Sequence, residues 1–141
     1  LWLVLLRNYR WCDRNNIFSK EERIKKFVFP ETVTVYDYLD LSDCDLTGIT
    51  LPVTVNGSLH LNSCDLTNIT LPKTVGRDIY LRYCDLKNIT LPVNVGGDFC
   101  LRGCDLTNIT LPTTISGYLC LSGCDIPDTD QFKNFENKII R

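Results

Sequence analysis

The sequence predicts a repeat solenoid of five twenty-residue coils carrying parallel β-strands, closed by a cap at each end. Three observations predict it. Cysteine recurs at 44, 64, 84, 104 and 124 without a break in step, and a fixed period of that length marks units that bury their apolar side only by stacking. The apolar columns keep the same step: Leu39, Leu59, Ile79, Phe99 and Leu119, then Leu41, Leu61, Leu81, Leu101 and Leu121. Finally, the alternation in Leu59-x-Leu61 sends both side chains to one face, which is the period of a strand and not of a helix.

The first element, residues 1–30, is expected to be an N-terminal cap, largely helical. It opens on an apolar run, Leu1 to Leu6, and Ser19-Lys20-Glu21-Glu22 has the form of a helix capping box ahead of Ile24, Phe27 and Val28. Six apolar residues cannot span a bilayer, so no membrane partner is expected. The missing initiator Met leaves open whether the start is processed or truncated. This head carries seven Lys or Arg against three Asp or Glu, whereas residues 31–141 carry eight against fourteen. That balance argues against direct, nonspecific nucleic-acid binding by the whole chain, and leaves a small basic patch at the head that could touch an anionic partner.

Residues 31–127 form the five coils, and Leu51 to Thr70 (LPVTVNGSLHLNSCDLTNIT) is the clearest copy. Cys64, Leu66 and Ile69 turn inward after the strand. The stretch from Ile69 to Val75 alternates again, giving a second extended face, and Pro52, Pro72, Pro92 and Pro112 suit a corner that donates no ladder hydrogen bond. Stacked about 4.8 Å apart, such coils share one continuous core. At the start, Phe29-Pro30 has the look of the Leu-Pro corner with two extra residues. Residues 128–141 are expected to be the second cap: a short helix capped by Asp128 or Asp130 and presenting Phe132, Phe135, Ile139 and Ile140.

The pattern L-x-L-x-x-C-x-L-x-x-I followed by Leu-Pro resembles leucine-rich repeats, with cysteine where asparagine is commoner. The twenty-residue unit looks most like the short-repeat bacterial class, found in secreted effectors and prophage-type proteins. The resemblance covers residues 31–130 and departs at the Thr between the last apolar residue and Leu-Pro, which keeps a regular parallel β-helix as the alternative. It implies a modulator or inhibitor of a host protein, with delivery into a host cell as one route.

The cysteine column is expected to be buried free thiols, since neighbouring Cβ vectors run parallel and resist bridging; that points to a reducing, cytoplasmic compartment. Cys100 and Cys120 fall in an outward column and are expected to be adjacent and exposed. With His60 two coils away they make an incomplete ligand set, so no metal site is expected. Asp45, Asp65, Asp85, Asp105 and Asp125 follow the cysteines, and Asp-Leu-Thr-Asn is the chemistry of a repeated Asx turn. The competing reading is an acidic stripe that imitates a nucleic-acid backbone and inhibits a DNA-binding enzyme. Threonine columns (Thr50, Thr70, Thr90 and Thr110) and the Asn-Ile-Thr triplets are explained by the repeat itself.

No catalytic residue and no cofactor is expected. The chain has one histidine, no Gly-rich phosphate loop and no nucleophile with a base at recognisable spacing. What varies from coil to coil is the outward strand face: Tyr38 and Asp40; His60 and Asn62; Asp78, Tyr80 and Arg82; Asp98 and Arg102; and Tyr118, with Tyr83 adjoining. Tyr mixed with Arg and Asp is the composition of protein-binding hot spots. These residues are the expected docking surface for a protein partner, with self-association through an imperfectly capped end as a further possibility.

Overall fold

The computed structural model describes residues 19, 22, 28, 29, 31–33 and 38–141. Each coil contributes two short strands to two parallel sheets that enclose the core. One sheet runs β1 (Thr32–Val33), β3 (Thr54–Val55), β5 (Thr74–Val75), β7 (Asn94–Val95) and β9 (Thr114–Ile115). The other runs β2 (Tyr38–Asp40), β4 (Ser58–His60), β6 (Ile79–Tyr80), β8 (Phe99–Cys100), β10 (Leu119–Cys120) and then β11 (Ile139–Ile140).

The register is the one the twenty-residue period demands. Leu39, Leu59, Ile79, Phe99 and Leu119 pair in sequence, and all five are fully buried. Just past the strands, Leu61, Leu81 and Leu101 superpose as well: their N–H groups donate to Tyr80, Cys100 and Cys120 of the next coil, each at 2.9 Å. Burying one such side chain stabilises by about 1.5–3 kcal/mol, and the core repeats it on every level. At the first coil Val33 pairs with Val55 while Tyr38 pairs with Ser58. The two extra residues therefore lie between Val33 and Tyr38.

Two tight turns shape each coil. Cys64 N–H donates to Leu61 O at 3.3 Å across a turn whose third residue, Ser63, has φ 57. Ile69 N–H donates to Leu66 O at 2.9 Å, and there Gly48, Asn68, Asn88 and Asn108 all take positive φ. Gly and Asn are the residues that enter this left-handed region most readily. The Leu-Pro corner that follows is buried, with Pro52, Pro72, Pro92 and Pro112 all inside.

The inward thiols are free, as expected, and they have a specific partner. Cys64, Cys84, Cys104 and Cys124 donate Sγ–H to the carbonyls of Leu41, Leu61, Leu81 and Leu101, at 3.2, 3.1, 3.0 and 3.0 Å. Each thiol thus reaches one coil back. Burial is the main cause that pushes the Cys64 thiol up to about 12 and those of Cys84 and Cys104 up to about 11.

At the C-terminal end the expected single helix is replaced by three pieces. Helix α1 (Asp130–Lys133) buries Phe132, a 3-10 turn spans Glu136–Lys138, and β11 adds a sixth strand beside β10. The N-cap is Thr129 and makes no side-chain capping bond; Asp128 instead pairs with Lys133 at 2.9 Å on the surface, where such pairs contribute little. The lid satisfies the last coil's backbone at three places. Leu121 N–H donates to Ile140 O at 2.8 Å. The Gln131 amide accepts from Leu111 N–H at 2.9 Å and donates to Ile109 O at 3.0 Å. Lys138 Nζ donates to the carbonyls of Ile115 and Ser116.

At the N-terminal end the capping box is formed. Ser19 N–H donates to Glu22 Oε2 at 2.9 Å, and Glu22 N–H donates to Ser19 Oγ at 3.3 Å. The remainder of the expected helical cap lies outside the described residues. Val28 is 72% exposed, and it is Phe29 that packs against the core.

Candidate functional site

Residues 38, 60 and 80 stand on adjacent strands of the six-stranded sheet, and their rings meet. Tyr38 stacks on His60 with centroids 5.1 Å apart and planes at 19°. His60 meets Tyr80 edge-on at 4.6 Å and 63°. The guanidinium of Arg82 lies 5.0 Å over the Tyr80 ring, and its Nε–H donates to Cys100 Sγ at 3.2 Å. Four of the expected docking residues therefore form one run across three coils. Burial, then Asp78 and Asp98, push the Tyr80 hydroxyl above its ordinary range, and the Cys100 contact keeps Arg82 firmly cationic.

Around this run, polar side chains serve the backbone of their neighbours. Ser58 Oγ accepts from Asp78 N–H at 3.2 Å, Asp78 Oδ1 from Asp98 N–H at 2.7 Å, and Asp98 Oδ1 from Tyr118 N–H at 2.8 Å. One column further on, Ser42 Oγ accepts from Asn62 N–H and Asn62 Oδ1 from Arg82 N–H, at 3.2 and 3.1 Å. Asp40 Oδ1 accepts from Ser42 N–H at 2.9 Å. So Asp40, Asn62, Asp78 and Asp98 are tied into the frame, with part of each polar group still facing out. Ser42 and Ser58, in columns read as outward, are buried for the same reason.

Among the described residues Tyr38, Tyr83 and Tyr118 are the exposed tyrosines, at 49%, 59% and 54%, and Arg102 is exposed too. Tyr83 sits at φ 58, an uncommon place for a bulky residue. Its ring covers Gly103, where an added Cβ would come within 2.6 Å of it. The periodicity could not reveal this contact, because Tyr83 is the one large residue in a column of Asp, Ser and Gly.

The exposure expected of Cys100 is corrected by the structure. Cys100 pairs in register with Cys120, but it is only 3% exposed; Arg82 contacts it from the neighbouring coil. Cys120 is half-buried, and burial raises its thiol. His60 is held between Tyr38 and Tyr80 and does not join them. Among the described residues no group of three or more His, Cys, Asp or Glu side chains converges as a metal site would require.

The aspartate column is exposed and lies on another side of the coil. Asp45, Asp65, Asp85 and Asp105 each accept the N–H two residues ahead, at 2.9, 2.9, 3.0 and 2.9 Å, which is the Asx turn. At Asp125 the corresponding residue is Pro127, which has no N–H to give. Bonds from Thr67 and Thr107 hold the Asp65 and Asp105 carboxyls below their ordinary range. No helix among the described residues is long and apolar enough to cross a membrane.

Comparison with known families matches residues 14–127 to the BspA type leucine rich repeat region, in six copies. The match begins within the 1–30 segment and covers every coil. Comparison with curated proteins and with solved structures gives no match.

Proposed function

The chain belongs to the BspA-type leucine-rich repeat family, and on that premise we propose that it is a noncatalytic protein-binding module that docks through the Tyr38–His60–Tyr80–Arg82 face. Repeats of this kind generally mediate protein–protein interaction, and stacked coils present the extended surface that such binding uses. One observation carries the choice of face: three rings and a guanidinium already in contact. Their geometry is set before a partner arrives, so little side-chain freedom is lost on binding. Tyr and Arg in such a setting are the usual anchors of an interface. Tyr83, Arg102 and Tyr118 extend the patch, while Asp40, Asn62, Asp78 and Asp98 hold its frame and supply its polar margin.

The outcome of docking is modulation or inhibition of the partner, by analogy with bacterial relatives of this repeat type. The seven free cysteines among the described residues favour a reducing compartment. The test is differential capture from host lysate by the wild type, Tyr80→Ala, Arg82→Glu, and a triple Asp65→Asn, Asp85→Asn, Asp105→Asn variant. Asparagine keeps the Asx acceptor and removes the charge. A partner held by the wild type and the triple variant but lost by both patch variants supports the strand face. Loss with the triple variant alone would assign function to the acidic stripe instead.

A further inference from the structure

Beyond the ring patch, two thiols stand side by side on the same sheet with a cation against one of them. Cys100 and Cys120 are Cα partners on β8 and β10, and both thiols are free. Cys100 is closed off at 3% exposure, and half-buried Cys120 supplies the way in. We propose that Cys100 and Cys120 form a two-thiolate site for one soft monovalent cation, copper(I), with Arg82 as its counter-charge. The site is independent of the docking reading and needs no partner.

Orientation favours a bridging ion over a disulfide. Both thiols are free, and in-register parallel neighbours point their Cβ atoms the same way, which resists disulfide geometry. Two collinear metal–thiolate bonds, each about 2.3 Å as for zinc, span about 4.6 Å, close to the strand spacing of about 4.8 Å. The ligand count selects the ion. No third His, Cys, Asp or Glu joins the pair among the described residues, which excludes the four-coordinate zinc arrangement and leaves a soft ion content with two thiolates.

Charge also balances. Copper(I) displaces both S–H protons to solvent, two copper–sulfur bonds form, and no oxidation state changes. The resulting unit carries one net negative charge, beside the guanidinium that already contacts Cys100 at 3.2 Å. The core thiols are stacked with the same period but lack these features. Cys84 and Cys104 donate their protons to buried carbonyls, and no guanidinium among the described residues donates to either.

The test is anaerobic titration of the reduced protein with copper(I) against bathocuproine disulfonate, in a Cys12→Ser background. One equivalent should be retained. Cys120→Ser should weaken retention at least about 100-fold and Arg82→Leu about 10-fold, the range for removing a supporting group. Cys84→Ala should keep the full equivalent, and zinc(II) should not displace copper. Retention of copper by Cys120→Ser, or displacement by zinc, overturns the site. If Cys120→Ser does not fold, as judged by circular dichroism, X-ray absorption of the copper-loaded parent decides. Two sulfur neighbours support the proposal, and any other shell refutes it.

Discussion

The carboxylate of Asp78 occupies the space that a side chain on Gly97 would need: a Cβ there would lie 2.2 Å from Asp78 Oδ1. The same oxygen accepts the N–H of Asp98, so it cannot withdraw without giving up a bond between coils. Gly97→Ala should therefore destabilise by about 3 kcal/mol, the upper range for overpacking. Gly123→Ala provides the contrast. Its φ is +71 but nothing lies within 4 Å of the added atom, so only the left-handed backbone is penalised, by about 1 kcal/mol. Urea unfolding of both variants reads the difference, and a reversed order would count against the Asp78 contact.

The core thiols predict a loss of stability in alkali. Cys64, Cys84 and Cys104 are raised from 9.0 to about 12, 11 and 11 in the fold. Below pH 9 they are protonated in both folded and unfolded chains, and their contribution is complete. Above pH 9 the unfolded chain ionises first, so stability falls by about 1.4 kcal/mol per pH unit for each thiol until the folded value is reached. Urea midpoints between pH 8 and pH 10.5 should drop steeply, and Cys84→Ala should flatten the slope.

Tyr83 predicts an exchange between stability and binding. At φ 58 a tyrosine is strained where glycine is not. Tyr83→Gly should stabilise the fold by about 1 kcal/mol and weaken partner capture. Thermal unfolding and the capture assay read the two effects separately; unchanged capture would remove Tyr83 from the docking patch.

Gln131 predicts the strength of the lid. Its amide serves both Leu111 N–H and Ile109 O, and Gln131→Ala leaves both groups without that partner. A loss of about 2 kcal/mol is expected. Faster amide exchange at Leu111 than at Leu71 should accompany it.

Much of this was legible from the period alone. A step of twenty put Leu39 over Leu59 and Cys64 over Cys84 because identical side chains stack without strain, and Asp-Leu-Thr-Asn announced its turn through residue types that favour it. What period could not supply is contact between unlike columns. Arg82 reaches Cys100 across an offset of eighteen residues, and so a position read as exposed is buried. Asp78 and Asp98 looked like free surface, yet their side chains accept backbone N–H groups from the next coil. The C-terminal lid was visible as apolar residues, but a strand at Ile139–Ile140 follows from the edge of β10 that awaits it, not from local propensity.

The thiol of Cys84 donates to a carbonyl one coil back, and the same step recurs at Cys64, Cys104 and Cys124. A ladder with only nearest-neighbour rungs has no built-in length. Duplication or deletion of one whole unit leaves every surviving bond in place, so the chain can grow taller or shorter in evolution while its two ends stay as they are. Recognition could then diversify by adding storeys instead of redesigning the interior.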